Sequence, residues 1–147
     1  MVNTYWYALV IFDKRGCGKE FLDRIDIEKR VDEQLANSGW DKRGAAVVID
    51  PELESWVWSD SPEVANCLGW KEGMDNLRHW LADNGLWPEE YLKPSDPKLA
   101  VENVMRRVKK PRSSAIYQQI ASRVSFERCI DQSFIKIKRT LRRWFKK

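Results

Sequence analysis

The chain opens with short, unbroken apolar runs and continues with longer stretches in which apolar residues return every three or four positions. TYWYALVIFD (residues 4–13) is β-branched and aromatic and runs from Asp13 into the turn-forming KRGCG, which predicts a first strand. AAVVI (residues 45–49) is a continuous apolar run, as in a strand covered on both faces. Asp50-Pro51 ends it, because proline has no N–H to give to a ladder. Between the two, KEFLDRIDIEKRVDEQLANSGW (residues 19–40) sets Phe21, Leu22, Ile25, Val31 and Leu35 at near-helical spacing before an Asn-Ser-Gly stop. Strand, helix, strand predicts a βαβ unit with two parallel strands and a right-handed crossover.

Past Asp60 the period is helical. SPEVANCLGW (61–70) has a capping serine, a proline at the first helical position and a closing glycine, and GMDNLRHWLADNG (73–85) repeats Met74, Leu77, Trp80 and Leu81 at core spacing. LWPEEYLKPSDP is a proline-marked connection, and DPKLAVENVMRRVKK (96–110) is an amphipathic helix that Pro111 ends. RSSAIYQQIASRV and DQSFIKIKRTLRRWF predict two further helices, the last capped by Asp131 or Ser133. The expected architecture is a single α/β domain over residues 1–147: a βαβ core with a small parallel sheet in 1–60, and a mostly helical half in 61–147. Two strands alone make a poor sheet. A third is therefore expected from LWPEEYL, from the extreme N-terminus, or from a partner chain at the exposed edge, with a homodimer favoured.

Composition narrows the class. A chain of 147 residues, 43% hydrophobic and 33% charged, is sized and mixed for one folded domain, which argues against disorder. No apolar run approaches the ~20 residues of a membrane span and no signal-peptide pattern opens the sequence, so no membrane partner is expected. Cys17, Cys67 and Cys129 are far apart and form no CxxC pair, which predicts neither a disulfide framework nor a zinc site and points to the cytoplasm. The net charge of +4 conceals a division: residues 1–100 hold 12 Lys+Arg against 19 Asp+Glu, and residues 101–147 hold 14 against 3. An acidic face suited to cations and a basic C-terminal region suited to phosphates or an acidic partner follow.

The acids concentrate at one predicted place. Asp13 ends the first strand, and Asp50, Glu52 and Glu54 follow the second, so a parallel pair puts them at the carboxyl rim of the sheet, where open α/β sheets bind ligands. Grouped oxygen ligands suit magnesium or manganese, which activate water or neutralise phosphate. The competing reading is that Asp50 caps, and Glu52 and Glu54 favour, the amino end of a short helix in PELESWVW. DKRGCGKE lacks the first glycine and the Ser or Thr of a phosphate loop, so no nucleotide or organic cofactor is expected. His79, the sole histidine, lies in a tryptophan-rich helix and reads as structural. Arg106, Arg107, Lys109, Lys110 and Arg112 precede a helix start at Ser113 or Ser114, a combination that suits a nucleic-acid backbone. IKIKRTLRRWFKK repeats the pattern with Lys136, Lys138, Arg139, Arg142, Arg143, Lys146 and Lys147. Pairing with the chain's own acidic segment is the alternative. Most of the eight tryptophans are expected in the core, and any exposed one is a stacking platform for bases.

LVIFDKRGCGKE, VVIDPELESWVWSD, LGW, PRSSAIYQQIASRVSFERCIDQSF and LRRWF, in this order and spanning Ala8 to Phe145, resemble an uncharacterised bacterial protein family of methylation-associated anti-phage defence systems, distantly similar to Toprim-like proteins. The resemblance implies a Toprim-like, broadly Rossmann-like parallel α/β fold that binds magnesium through a glutamate after an early strand and aspartates after a later one. Asp13 then takes the aspartate position and Glu52 or Glu54 that of an accessory acid. Family members begin with a further strand and helix, whereas this sequence starts almost at the strand of Asp13, so the first glutamate lacks a counterpart and a shortened or partner-dependent version is implied. Two functions follow. One is a metal-dependent phosphodiesterase in which Asp13, Glu52 and Glu54 hold the ion and Arg112 positions phosphate. The other is a non-catalytic adaptor that binds a defence effector or nucleic acid through its basic helical tail. Converging acids favour the first, and acids held by the chain's own basic residues favour the second.

Overall fold

The computed structural model describes residues 4–146. In chain order the elements are β1 (Ala8–Asp13), α1 (Arg24–Leu35), a π turn (Ala36–Trp40), β2 (Gly44–Ile49), a 3-10 turn (Leu53–Trp56), α2 (Pro62–Leu68), α3 (Met74–Asp83), α4 (Pro97–Arg107), α5 (Ser114–Arg123) and α6 (Gln132–Phe145). The chain is mixed α/β, with a two-stranded parallel sheet and six α-helices among the described residues. None of those helices is long and apolar enough to cross a membrane. They divide between two compact units: Leu53–Ile130 forms one, and the residues up to Glu52 with those from Asp131 onward form the other.

In the sheet-bearing unit Asp13 lies opposite Ile49. The Ala8 N–H donates to the Arg43 carbonyl at 3.0 Å and the Lys14 N–H to that of Ile49 at 2.8 Å. This register turns the backbone groups of Ala46 and Val48 away from β1, because successive residues of a strand point their polar groups to opposite sides. Both find acceptors on α1. The Ala46 N–H donates to Asp32 Oδ1 at 2.6 Å and the Val48 N–H to Glu28 Oε1 at 2.9 Å. Glu28, only 4% exposed, also takes hydrogen bonds from Arg24 and, at 2.9 Å, from Lys136 Nζ of α6. Lys136 lies 3.6 Å from Asp32 as well. Two carboxylates one helical turn apart thus do for β2 what a neighbouring strand would do.

The expected third strand is absent from the described residues: LWPEEYL is irregular backbone, and residues 1–3 lie outside them. On the other border of the sheet, Leu9 and Ile11 direct their backbone groups away from β2, and the Ile11 side chain is exposed. Helix α1 also differs from its periodicity. It starts at Arg24 rather than near Lys19, Phe21 and Ile25 are exposed, and its buried positions are Ile27 and Glu28. Gly39 (φ 88°) takes the left-handed position inside the π turn, and Gly44 is closely packed, since a Cβ there would stand 3.1 Å from the Cβ atoms of both Leu35 and Trp40. Tyr7 stacks on Trp144 at 4.6 Å, and the Asp131 carboxylate caps α6 by accepting from the Ser133 N–H.

The helical unit is organised by tryptophans, although fewer than expected are in the core: Trp58, Trp70 and Trp87 are buried, Trp40, Trp56, Trp80 and Trp144 are half-buried and Trp6 is exposed. Trp58 is buried against Trp87 at 5.4 Å and donates to the Pro97 carbonyl; Trp70 donates to Asn76, and Trp87 to the Tyr91 carbonyl. Each indole buries its rings while its N–H keeps a partner. Arg78 lies 3.8 Å over Trp87 and donates to the carbonyls of Glu89 and Tyr91, which fixes the LWPEEYL connection as a loop.

Removing the Glu28 carboxylate leaves the Val48 N–H and Arg24 without the acceptor seen here and leaves Lys136 only the more distant Asp32. Glu28→Ala is expected to lower stability by about 3 kcal/mol, and Glu28→Gln, which keeps an acceptor, by distinctly less. Denaturant unfolding of the three proteins measures the order.

Candidate functional site

The carboxyl rim of the sheet was the expected site, and its acids are already engaged. Lys14 Nζ binds Asp50 Oδ2 at 3.0 Å, and Arg15 Nη1 binds Glu52 Oε1 at 2.9 Å, with Glu52 buried. Asp13, half-buried at the end of β1, has an interaction within its own chain too. In the glycine turn that follows, the Gly16 N–H donates to Glu20 Oε1 at 2.8 Å, and backbone N–H groups hold the Glu20 carboxyl below the usual carboxylate range. Glu20 therefore fills the small anion nest that those glycines form.

Glu54, the fourth acid, belongs to the helical unit. It is buried, and its Oε1 accepts from the Arg112 guanidinium and, at 3.0 Å, from the Tyr117 hydroxyl. Arg112 also reaches Glu102 at 3.3 Å. Burial opposes the Arg112 charge, but the Tyr117 hydroxyl and the two carboxylates outweigh it and raise its pKa. Burial, reinforced by the Glu54 charge, pushes the Tyr117 phenol above its ordinary value. Among the described residues no three His, Cys, Asp or Glu side chains are grouped to hold a metal ion.

The basic residues fall into two groups in different units. In the helical unit, Lys110 donates to the Cys67 carbonyl at 2.8 Å and Arg106 to Asn103 at 3.4 Å; Arg107 and Lys109 are exposed. Ser113 starts α5, but its side chain makes no capping bond. Two of the expected phosphate ligands, Lys110 and Arg112, are thus committed to the fold. His79 is exposed and bonds the Asp75 carbonyl of its own helix. Burial pushes the Cys67 thiol up, so it is a poor nucleophile.

The basic residues of α6 differ among themselves. Lys136 is held by Glu28, and Arg142 has an interaction within the chain, whereas no hydrogen bond or ion pair within the described residues holds Arg139 or Arg143. Those two, three and seven residues after Lys136, share its side of α6 and line a cleft of about 590 Å3 with Asp32, Trp40, Lys42 and Gly44. The cleft opens at the amino end of β2, opposite the rim singled out from the sequence. Lys42 also lacks a partner among the described residues. Trp40 carries the Arg43 guanidinium 5.3 Å over its ring. Comparison of the chain with family models, curated proteins and solved structures returns no match, so the resemblance rests on its quoted residues.

Because the folded phenol of Tyr117 titrates above its unfolded value of about 10, its contribution to stability is fully present below that pH and is lost as pH rises through the folded value. Tyr117→Phe is expected to cost about 1 kcal/mol at neutral pH and to flatten this part of the alkaline fall. Unfolding midpoints measured from neutral pH to pH 11 and above, roughly a unit past the free phenol, test both effects.

Proposed function

We propose that the protein is a non-catalytic accessory of a bacterial anti-phage defence or DNA-modification system that binds nucleic acid through the basic face of α6. The observation that carries this reading is the contrast in charge pairing. Asp50, Glu52 and Glu54 each meet a basic side chain of the same chain, whereas Arg139 and Arg143 meet no internal acid among the described residues. Pairing with internal acids, the main competitor of a nucleic-acid role for basic residues, accounts for Arg112 and Lys136, and a backbone carbonyl holds Lys110, but neither holds these two among the described residues. Guanidinium groups spaced along an exposed helix face suit phosphate oxygens, which they bind in forked geometry.

The defence setting comes from the resemblance, as does the Toprim-like reading of the βαβ unit. The parallel pair with Asp13 and Asp50 at one rim supports the latter. Three free cysteines fit a reducing cytoplasm. Phosphodiester cleavage would require Lys14, Arg15 and Arg112 to release the acids they hold, and for that reason the adaptor reading is preferred. The protein then brings nucleic acid to an effector that does the chemistry.

The test is fluorescence anisotropy with labelled DNA over a range of salt. Arg139→Ala with Arg143→Ala is expected to weaken binding at least about tenfold and to reduce the salt slope by about two. Unchanged binding would remove the proposal. Calorimetric titration of manganese into the native protein and Asp13→Ala separates the enzyme reading: binding that depends on Asp13 would restore it, and its absence is expected.

A further inference from the structure

We infer that the cleft at the amino end of β2 is a binding site for single-stranded nucleic acid, with Trp40 receiving a base and Lys42, Arg139 and Arg143 receiving phosphates. This deepens the proposed function and rests on it, because Arg139 and Arg143 serve both.

The size of the cavity is the first support. At about 590 Å3 it falls within the ~300–1,000 Å3 typical of ligand sites. A concavity of that size takes in a few unstacked nucleotides, whereas the convex flank of a duplex meets only its rim. The lining is the second support. Three cations without partners among the described residues line one cavity, where low-dielectric walls concentrate their field. An anion that entered would gain more from them than from the same charges on a flat surface.

The aromatic ring distinguishes this cavity from a general basic patch. Trp40 is half-buried and lines the cleft, with Arg43 over its ring. An indole combined with guanidinium groups is the pairing that single-strand sites use to stack bases and hold the backbone. The ring is also firmly placed. Trp40 ends the π turn, and a Cβ at Gly44 would stand only 3.1 Å from its Cβ, so the turn packs closely on the start of β2. Lys42 sits at φ 61°, a left-handed conformation that L side chains rarely adopt. Strain of this kind gathers at ligand sites. Of the acids at the cleft, Asp32 is tied to the Ala46 N–H and lies near Lys136, and Asp32 and Asp41 together are outnumbered by Lys42, Lys136, Arg139 and Arg143 in the lining.

The test compares a fluorescein-labelled oligodeoxythymidine with a labelled duplex of the same length, on the native protein, Trp40→Leu and Lys42→Glu. Circular dichroism checks each fold. Each variant is expected to lose about tenfold in affinity for the single strand, the size of one lost stack or charge contact, with the duplex nearly unaffected. Equal loss on both probes, or no loss on either, overturns the cleft while leaving the α6 reading intact. A native protein that binds neither probe overturns both readings. Competition by polyglutamate as effective as by unlabelled oligodeoxythymidine also overturns the cleft, since charge alone would then explain it. Should Trp40→Leu fail to fold, Lys42→Glu decides, because Lys42 is exposed.

Discussion

One buried carboxylate organises the sheet-bearing unit. Glu28 accepts from the backbone of β2, from Arg24 of its own helix and from Lys136 of α6, so three elements meet at one side chain. A buried carboxylate is tolerated only when charge and hydrogen bonds both compensate it, and here they do. The arrangement fixes the rotation of α1, since only the face bearing Glu28 and Asp32 reaches the N–H groups of Ala46 and Val48. It fixes α6 as well. Lys136 must face Glu28, which turns Arg139 and Arg143 toward the neighbouring cleft.

That constraint changes the meaning of the charge division along the sequence. An acidic first part and a basic last part suggested that one would neutralise the other. Much of the compensation is instead local: Lys14 and Arg15 hold Asp50 and Glu52 at the rim, and backbone N–H groups hold Glu20 beside them. Only some of the late basic residues are used internally. Arg139 and Arg143 of α6, which have no partner among the described residues, lie at the opposite end of β2 from Asp13 and Asp50, while Arg107 and Lys109 are exposed in the helical unit.

The elements themselves were legible. Both strands, the parallel order and all six helices are written in apolar runs, periodicities and caps such as Asp131 and Gly69. What was not legible has a common cause. A periodicity argument assumes that a helix packs through its apolar stripe, but α1 presents Glu28 to the sheet and leaves Phe21, just ahead of it, and Ile25 exposed. The search for another strand assumed that only backbone can satisfy backbone. The usable signal was the acid pair Glu28 and Asp32 one turn apart beside a strand with open polar groups, together with a lysine in a distant amphipathic helix. Asp13 and Asp50 do stand at the carboxyl end of the two strands, but Glu54 belongs to the helical unit, and the counter-ions of these acids could not be told from other basic residues without register. The cleft joins residues about a hundred positions apart, and spacing carries no trace of it.

The asymmetry of the two sheet borders limits assembly. Side-chain oxygens seal the β2 border, whereas Leu9 and Ile11 keep their backbone groups pointing outward on β1. A sheet with two open borders can add copies without end, the route to fibres. The carboxylates that stand in for a missing strand thus leave β2 with two fewer N–H donors to offer the strand of another chain, which makes this border the poorer template for sheet extension.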